Sequence, residues 1–417
     1  MGHEDKAQVA KRRVFYIPGY DPYPPRRYRE LYRTESAKQA SISGYDVQQT
    51  ASERPSGWRV EADIDGAHTE TEFNVLVWND LVQTSMKPGI LGTYCVLAQT
   101  AWIYLSTGAL WRLSWLAKGP ILAALYPVVM LIAQLGVAVV LGSFLGRVGT
   151  LALDGAFGRA SVSRGIDVLV FSSLALIVMG MTLRWFRSQD DKTFAYYLMH
   201  DYAYTASRRG AYPPEIEERL ATFKAQVEAD LRDGVDEILV IGHSSGAQLA
   251  VSLVSDIVRS GRCEGPALSL LTLGQVIPMV SFLPKADRLR GDLRLLSVTQ
   301  DVTWLDVSAP GDGCCFALSD PVAVSGVAPE TGQLWPVVIS AAFSNTLAPE
   351  TLSRLKRRYF RLHFQYLCAF DRPSDYDYFR VTAGPQTLEA RFKGRVSSKN
   401  RIDFPASRFT SFAPAPQ

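Results

Sequence analysis

The stretch "DEILVIGHSSGAQLAV", residues 236–251, decides the fold. Residues 237–241 form a short β-branched apolar run of the kind a buried strand shows. Beyond residue 246, Leu249, Leu253, Val254 and Ile257 recur at helical spacing. Between the two lie Gly242, Ser244 and Gly246, the pattern G-x-S-x-G. A serine on a sharp strand-to-helix turn needs glycines two positions to either side, because side chains there would collide with neighbouring backbone. Such a turn would lift the Ser244 hydroxyl above the strand ends. It would also aim the Ser245 N–H, at the helix start, at charge developing on an attacked carbonyl. The plain alternative is an ordinary turn whose serine caps a helix.

The rest of the chain sets the context. Its 417 residues are 47% hydrophobic, with 44 Lys and Arg against 41 Asp and Glu, a net charge of +3. No basic run resembles a nucleic-acid footprint, so nucleic acid is not an expected partner. Cys95, Cys263, Cys314, Cys315 and Cys368 are odd in number and lack CxxC spacing. They read as reduced thiols, with neither a zinc site nor a disulfide framework, and no metal or cofactor is expected. The first thirteen residues are polar and charged and read as no secretory signal.

Residues 119–146 contain no charge at all, more than the roughly 20 apolar residues needed to cross a bilayer. A second apolar run, about 166–186, ends in Trp185 and Phe186 with Arg184 and Arg187 placed to snorkel. A third, 88–111, mixes Thr, Gln and Ser with Tyr94, Trp102, Tyr104 and Trp111 and reads as an interfacial helix. If the flanks form one domain, crossings must be even, so two transmembrane helices are expected. Arg147, Arg159 and Arg164 lie between them, and Arg112, Lys118, Arg184, Arg187 and Lys192 lie outside. That balance places the main domain in the cytoplasm. The expected organisation is a domain formed by 1–87 and 191–384, a membrane insert at 88–190, and a basic, Pro/Ser-rich peripheral tail at 385–417.

The run "VIGHSSGAQLA" resembles the nucleophile elbow of α/β-hydrolase-fold enzymes, in particular lipases, esterases and thioesterases carrying G-H-S-x-G. The resemblance covers residues 13–22 and 236–370 and leaves the insert unexplained. It implies an α/β fold, a mostly parallel sheet flanked by helices, here with a transmembrane hairpin inserted. It also implies a triad in the order Ser, acid, His. Of five histidines only His363 follows Ser244, which makes it the expected base. The acid is less determined: Asp312, in "GDG" after the run 302–310, fits best, Asp306 points to one face of the strand rather than off its end, and Asp301 and Asp320 stay open. The family takes a second oxyanion donor from the turn after an early strand, here the N–H of Tyr20 after "VFYIPG". The chain has Pro-Gly where many relatives have His-Gly, a departure that costs little because the role needs backbone.

The function expected is a membrane-anchored serine hydrolase acting on carboxylic esters of lipids or long acyl chains, with the bilayer as partner. The alternative is a non-catalytic membrane scaffold that keeps the hydrolase frame. Two crossings without intramembrane charge speak against transport. Oligomeric state is not legible.

Overall fold

A computed structural model describes residues 7–158, 163–231, 234–261, 265–356 and 358–413; Arg159 and Cys263 fall outside them. Eight strands form one mixed sheet: β1 (Lys11–Ile17), β2 (Asp46–Ala51), β3 (Gly57–Ile64), β4 (Ala67–Val75), β5 (Glu237–His243), β6 (Ala267–Leu273), β7 (Thr303–Ser308) and β8 (Val337–Ser340). Their spatial order is β2-β3-β4-β1-β5-β6-β7-β8. From β4 to β8 neighbours are parallel, while β2, β3 and β4 form an antiparallel meander. Helices flank the sheet, and the protein is of the α/β class.

The sequence dictates this division. Every residue of β5 is buried, as a strand covered on both faces requires, and between Glu237 and His243 at its ends its residues are accordingly all apolar or glycine. β3 alternates buried and exposed residues instead, the signature of a strand wetted on one face. Asp65 and Gly66, both at positive φ (55° and 80°), close the β3–β4 hairpin. One buried cluster joins alternate residues of the strands (Val14, Tyr16, Leu239, Ile241, Leu271, Leu273) to Tyr28 and Tyr32 and to Leu362, Tyr366, Phe370 and Phe379.

The chain divides into two compact units, one of Met1–Thr84, Ile103–Ile121 and Thr205–Gln417, the other of Ser85–Trp102 and Leu122–Tyr204. The first contains the sheet. The expected interfacial helix at 88–111 is therefore two helices, Ile90–Ser106 and Ala109–Leu116. Gly108 at φ 72° makes the break, and the Thr107 hydroxyl turns back onto the Ile103 carbonyl at 2.6 Å. Tyr104 Oη then donates to the Met279 carbonyl at 3.0 Å, tying this piece into the sheet unit.

The second unit contains the second long apolar helix and all of the first from Leu122 onward. Lys118–Phe157 runs 40 residues, well past the charge-free stretch, and Arg164–Ser188 runs 25. Both are long and apolar enough to span a membrane, with most of their apolar windows exposed. They pack through small residues. A Cβ on Gly142 would lie 2.6 Å from the Ala175 carbonyl oxygen, one on Gly146 2.9 Å from that of Phe171, and one on Gly149 would collide with the Leu174 side chain. Glycines at i, i+4 and i+7 share one helix face and let the backbones touch. A Gly149→Cys/Leu174→Cys pair is expected to crosslink under mild oxidation, and adding Gly146→Leu to abolish the crosslink, as read by peptide mapping.

The tail is not peripheral, which corrects the expectation. Its backbone pairs with the sheet unit: Val9 N–H with the Pro385 carbonyl, Ser398 N–H with that of Val338, Ile402 N–H with that of Leu318, and Ala413 N–H with that of Asp287. Basic composition concealed main-chain pairing, which composition does not report. The helix feeding β5 is Pro214–Asp230.

Candidate active site

Ser244 has φ 56°, a left-handed conformation that costs a non-glycine residue energy and persists only where the surroundings enforce it. They do so here. The Ser244 N–H donates to the Leu273 carbonyl at the end of β6 (2.9 Å), and its carbonyl accepts from Ala247 N–H (3.1 Å) as the helix Gly246–Arg259 begins. Both flanking glycines are compelled by close approach. A Cβ on Gly242 would lie 2.6 Å from Ala247 Cα, and one on Gly246 would strike the Ile17 and Pro18 carbonyls.

His363 ends the helix Tyr359–His363 and is buried. Its Nδ1 lies 2.7 Å from Asp312 Oδ2. Asp312 sits in the loop after β7, with its N–H on the Ala309 carbonyl (2.8 Å). Its Oδ1 accepts from Cys314 N–H at 2.9 Å, and Oδ2 accepts from Tyr366 Oη at 2.9 Å. Burial pushes this carboxyl up, but the facing imidazole, its hydrogen bond and the Cys314 N–H outweigh it and hold Asp312 below the usual carboxylate value.

The other aspartates have other partners. Asp306 lies in β7, accepting from Thr272 Oγ1 at 2.6 Å, and burial raises it to about 8. Asp320 caps the helix Pro321–Val324. Asp301 sits in an exposed turn, accepting from Thr299 Oγ1 at 3.0 Å.

Two residues that sequence reasoning missed complete the constellation. His243, inside the quoted stretch, is buried with its ring 4.8 Å from that of His363. Its Nε2 donates to the His363 carbonyl at 3.1 Å, because a carbonyl can only accept. Burial first, then the adjacent imidazole, lower His243 to about 3, so it stays neutral. Tyr366 accepts from Ala309 N–H at 3.0 Å while donating to Asp312, which ties the Asp312 loop to the segment carrying His363. Its position three residues after His363 in "RLHFQYL" was the available signal. Gly274, at φ 51°, makes room for His363, since a Cβ there would lie 3.0 Å from His363 Cε1.

The turn after β1 wraps the elbow. Tyr20 N–H, expected to face an oxyanion, donates to Ser245 Oγ at 2.8 Å. A Cβ on Gly19 would lie 3.1 Å from Ser244 Cβ, 3.4 Å from Ser245 Oγ and 3.4 Å from the His243 carbonyl oxygen. Trp78 braces the turn, its Nε1–H on the Pro18 carbonyl (2.9 Å) and its ring against the Tyr20 ring.

Asp312, Cys314 and His363 bring one ligand atom each to within 4.8 Å of one another. Burial and the Asp312 charge raise the Cys314 thiol, and Asp312 and His363 already hydrogen-bond to each other. The arrangement is a carboxylate-oriented imidazole packed against His243, the residue that precedes the strained Ser244, and these are the residue types that nucleophilic acyl transfer uses. No family model, curated protein or solved structure matches the chain.

Proposed function

We propose that the protein is a membrane-anchored serine hydrolase of the α/β-hydrolase fold, cleaving carboxylic esters of lipids or long acyl chains. The observation that carries this reading is the Asp312–His363 hydrogen bond of 2.7 Å at the end of the sheet where Ser244 turns. Serine after β5, acid after β7 and base after β8 follow the chain order that the elbow implies.

In this mechanism the Asp312 carboxylate holds Nδ1–H of His363, so that Nε2 takes the Ser244 proton as Oγ attacks the ester carbonyl. Ser245 N–H, at the start of the helix Gly246–Arg259, stabilises the tetrahedral oxyanion. His363 returns the proton to the departing alcohol, and water releases the acyl group from Ser244 by the same steps. His243, neutral and hydrogen-bonded to the His363 carbonyl, holds the base from below.

Membrane anchoring rests on the two long apolar helices. Met1–Thr84 and Thr205–Gln417 belong to one unit, which supports an even number of crossings. Within that unit the helix Ala109–Leu116 buries Ala109, Leu113 and Leu116 and leaves Trp111 70% and Trp115 49% exposed. Such tryptophans favour a membrane interface. Gly119, at the start of the first long helix, lies where a Cβ would come 3.0 Å from Gly313 Cα, beside Asp312. The acid loop thus adjoins the segment that leads into the bilayer, which favours a substrate drawn from lipid. The flanking basic residues favour a sheet unit on the cytoplasmic side.

A fluorophosphonate probe is expected to label the purified protein at Ser244 and to leave Ser244→Ala unlabelled. Absence of labelling, or labelling that survives the substitution, would replace the enzyme with a scaffold.

A further inference from the structure

We infer that the Ser245 hydroxyl is itself an oxyanion donor, and that the Tyr20 N–H acts through it. This rests on the hydrolase reading above and assigns a second catalytic serine within that site.

The elbow supplies two adjacent hydroxyls, and only one is needed as nucleophile. Ser245 is buried, the last residue before the helix Gly246–Arg259, with ordinary right-handed φ and ψ (−66°, −18°). Its Oγ accepts from Tyr20 N–H at 2.8 Å. A backbone N–H can only donate, so this bond occupies an oxygen lone pair of Ser245 and leaves its proton for another acceptor. Among the described residues none accepts it. A hydroxyl that is buried, fixed in position and still holding an uncommitted proton has the properties asked of a transition-state donor. The donated N–H also polarises the O–H and strengthens what it can give.

The turn after β1 closes tightly on this pair: a Cβ on Gly19 would lie 3.1 Å from Ser244 Cβ and 3.4 Å from Ser245 Oγ, so glycine lets the backbone of Gly19 and Tyr20 come up against both serines. A carbonyl attacked by Ser244 acquires its charge next to the following residue, which brings two donors, the Ser245 backbone N–H and its Oγ–H. The Ser245 proton stays on its own oxygen throughout, so the residue donates a hydrogen bond and exchanges no proton with substrate. The rival arrangement has Tyr20 N–H as direct donor and Ser245 Oγ as a plug that must swing away before each turnover. The two arrangements predict opposite signs.

The experiment compares wild type, Ser245→Ala and Ser245→Thr in detergent, with a soluble 4-nitrophenyl ester of a short acid as substrate and a fluorophosphonate as active-site titrant. For Ser245→Ala the expected result is kcat lowered by about 10²-fold or more with KM nearly unchanged, while the titrant still reaches full stoichiometry at a slower rate. Ser245→Thr, which keeps the hydroxyl, is expected to recover most of kcat. A Ser245→Ala enzyme as fast as wild type, or faster, overturns the inference in favour of the plug. Equal losses in Ala and Thr variants also overturn it. A wild-type chain that never reacts with the titrant removes the hydrolase reading first, which separates that failure from this one.

Discussion

On the hydrolase reading proposed above, Asp312→Asn is expected to leave the fold and Ser244 in place and to cut ester turnover by about 10⁴-fold, the scale seen when a triad acid loses its charge. The reason lies in how fully the carboxylate is engaged. Oδ1 accepts from Cys314 N–H at 2.9 Å, and Oδ2 faces both His363 Nδ1 at 2.7 Å and Tyr366 Oη at 2.9 Å. An amide group must put its NH₂ on one side. Turned toward Cys314 it meets a backbone donor that cannot reverse. Turned toward His363 it donates to Nδ1, forces the proton onto Nε2 and removes the lone pair that would accept from Ser244. The second orientation costs less, because the Tyr366 hydroxyl can rotate, so the wrong tautomer dominates. Steady-state kinetics on a soluble ester, alongside thermal unfolding, provides the check. Turnover within tenfold of wild type would mean that the pair is structural only.

The same contacts set a pH dependence. The folded-state value of Asp312 lies below its unfolded one. Its contribution to stability is therefore present above the ordinary carboxylate value near 4 and lost as pH falls through the lowered folded value. Asp306 works in the opposite direction, since its folded value near 8 makes its contribution fade as pH rises from about 4 towards 8.

Much of this site was legible, and the rest was hidden for identifiable reasons. The elbow could be read because it forces two glycines and a change of hydrophobic period into eleven residues. His363 was reachable because no other histidine follows Ser244. Asp306 could be set aside because it lies within the strand run, but Asp301 and Asp320 could not be separated from Asp312 by pattern, because only the fold shows that one is in an exposed bend and the other caps a helix. Tyr366 and His243 were missed because a buried aromatic looks the same in sequence whether it packs or hydrogen-bonds. The break at Gly108 and the docked tail were missed for a related reason. Both segments are held by long-range partners, among them the Met279 carbonyl for Tyr104 and the Arg12–Glu237 pair for residues 384–388, and local composition carries no trace of these.

That pair gives the largest stability effect expected. Arg12 and Glu237 face each other across β1 and β5, in register, with both side chains fully buried and Nε–Oε2 at 2.6 Å. Each also holds the tail. Arg12 donates to the Gly384 and Gln386 carbonyls at 2.8 and 2.6 Å, and Glu237 Oε1 accepts from Leu388 N–H at 2.7 Å and from Ser269 Oγ at 2.6 Å. Glu237→Gln leaves the guanidinium buried without its counter-charge and sets an amide NH₂ among groups that were all donors. Breaking one partner of such a pair costs about 3–5 kcal/mol, whereas replacing both by apolar residues often costs far less. Glu237→Gln and Arg12→Met should therefore each lower the unfolding free energy by that amount and expose the chain after residue 384 to protease. Arg12→Met/Glu237→Leu should unfold with a loss well below the sum of the two. The pair sits at the start of strands whose other ends, Ile17 and Gly242, carry the turn with Tyr20 and the elbow with Ser244, about 17 Å away at 3.3 Å per residue. It locks the register there without touching the chemistry, so the double variant should keep kcat while folded. Strict additivity of the two single losses would show that the charges do not sense each other and that the tail is held by its backbone alone.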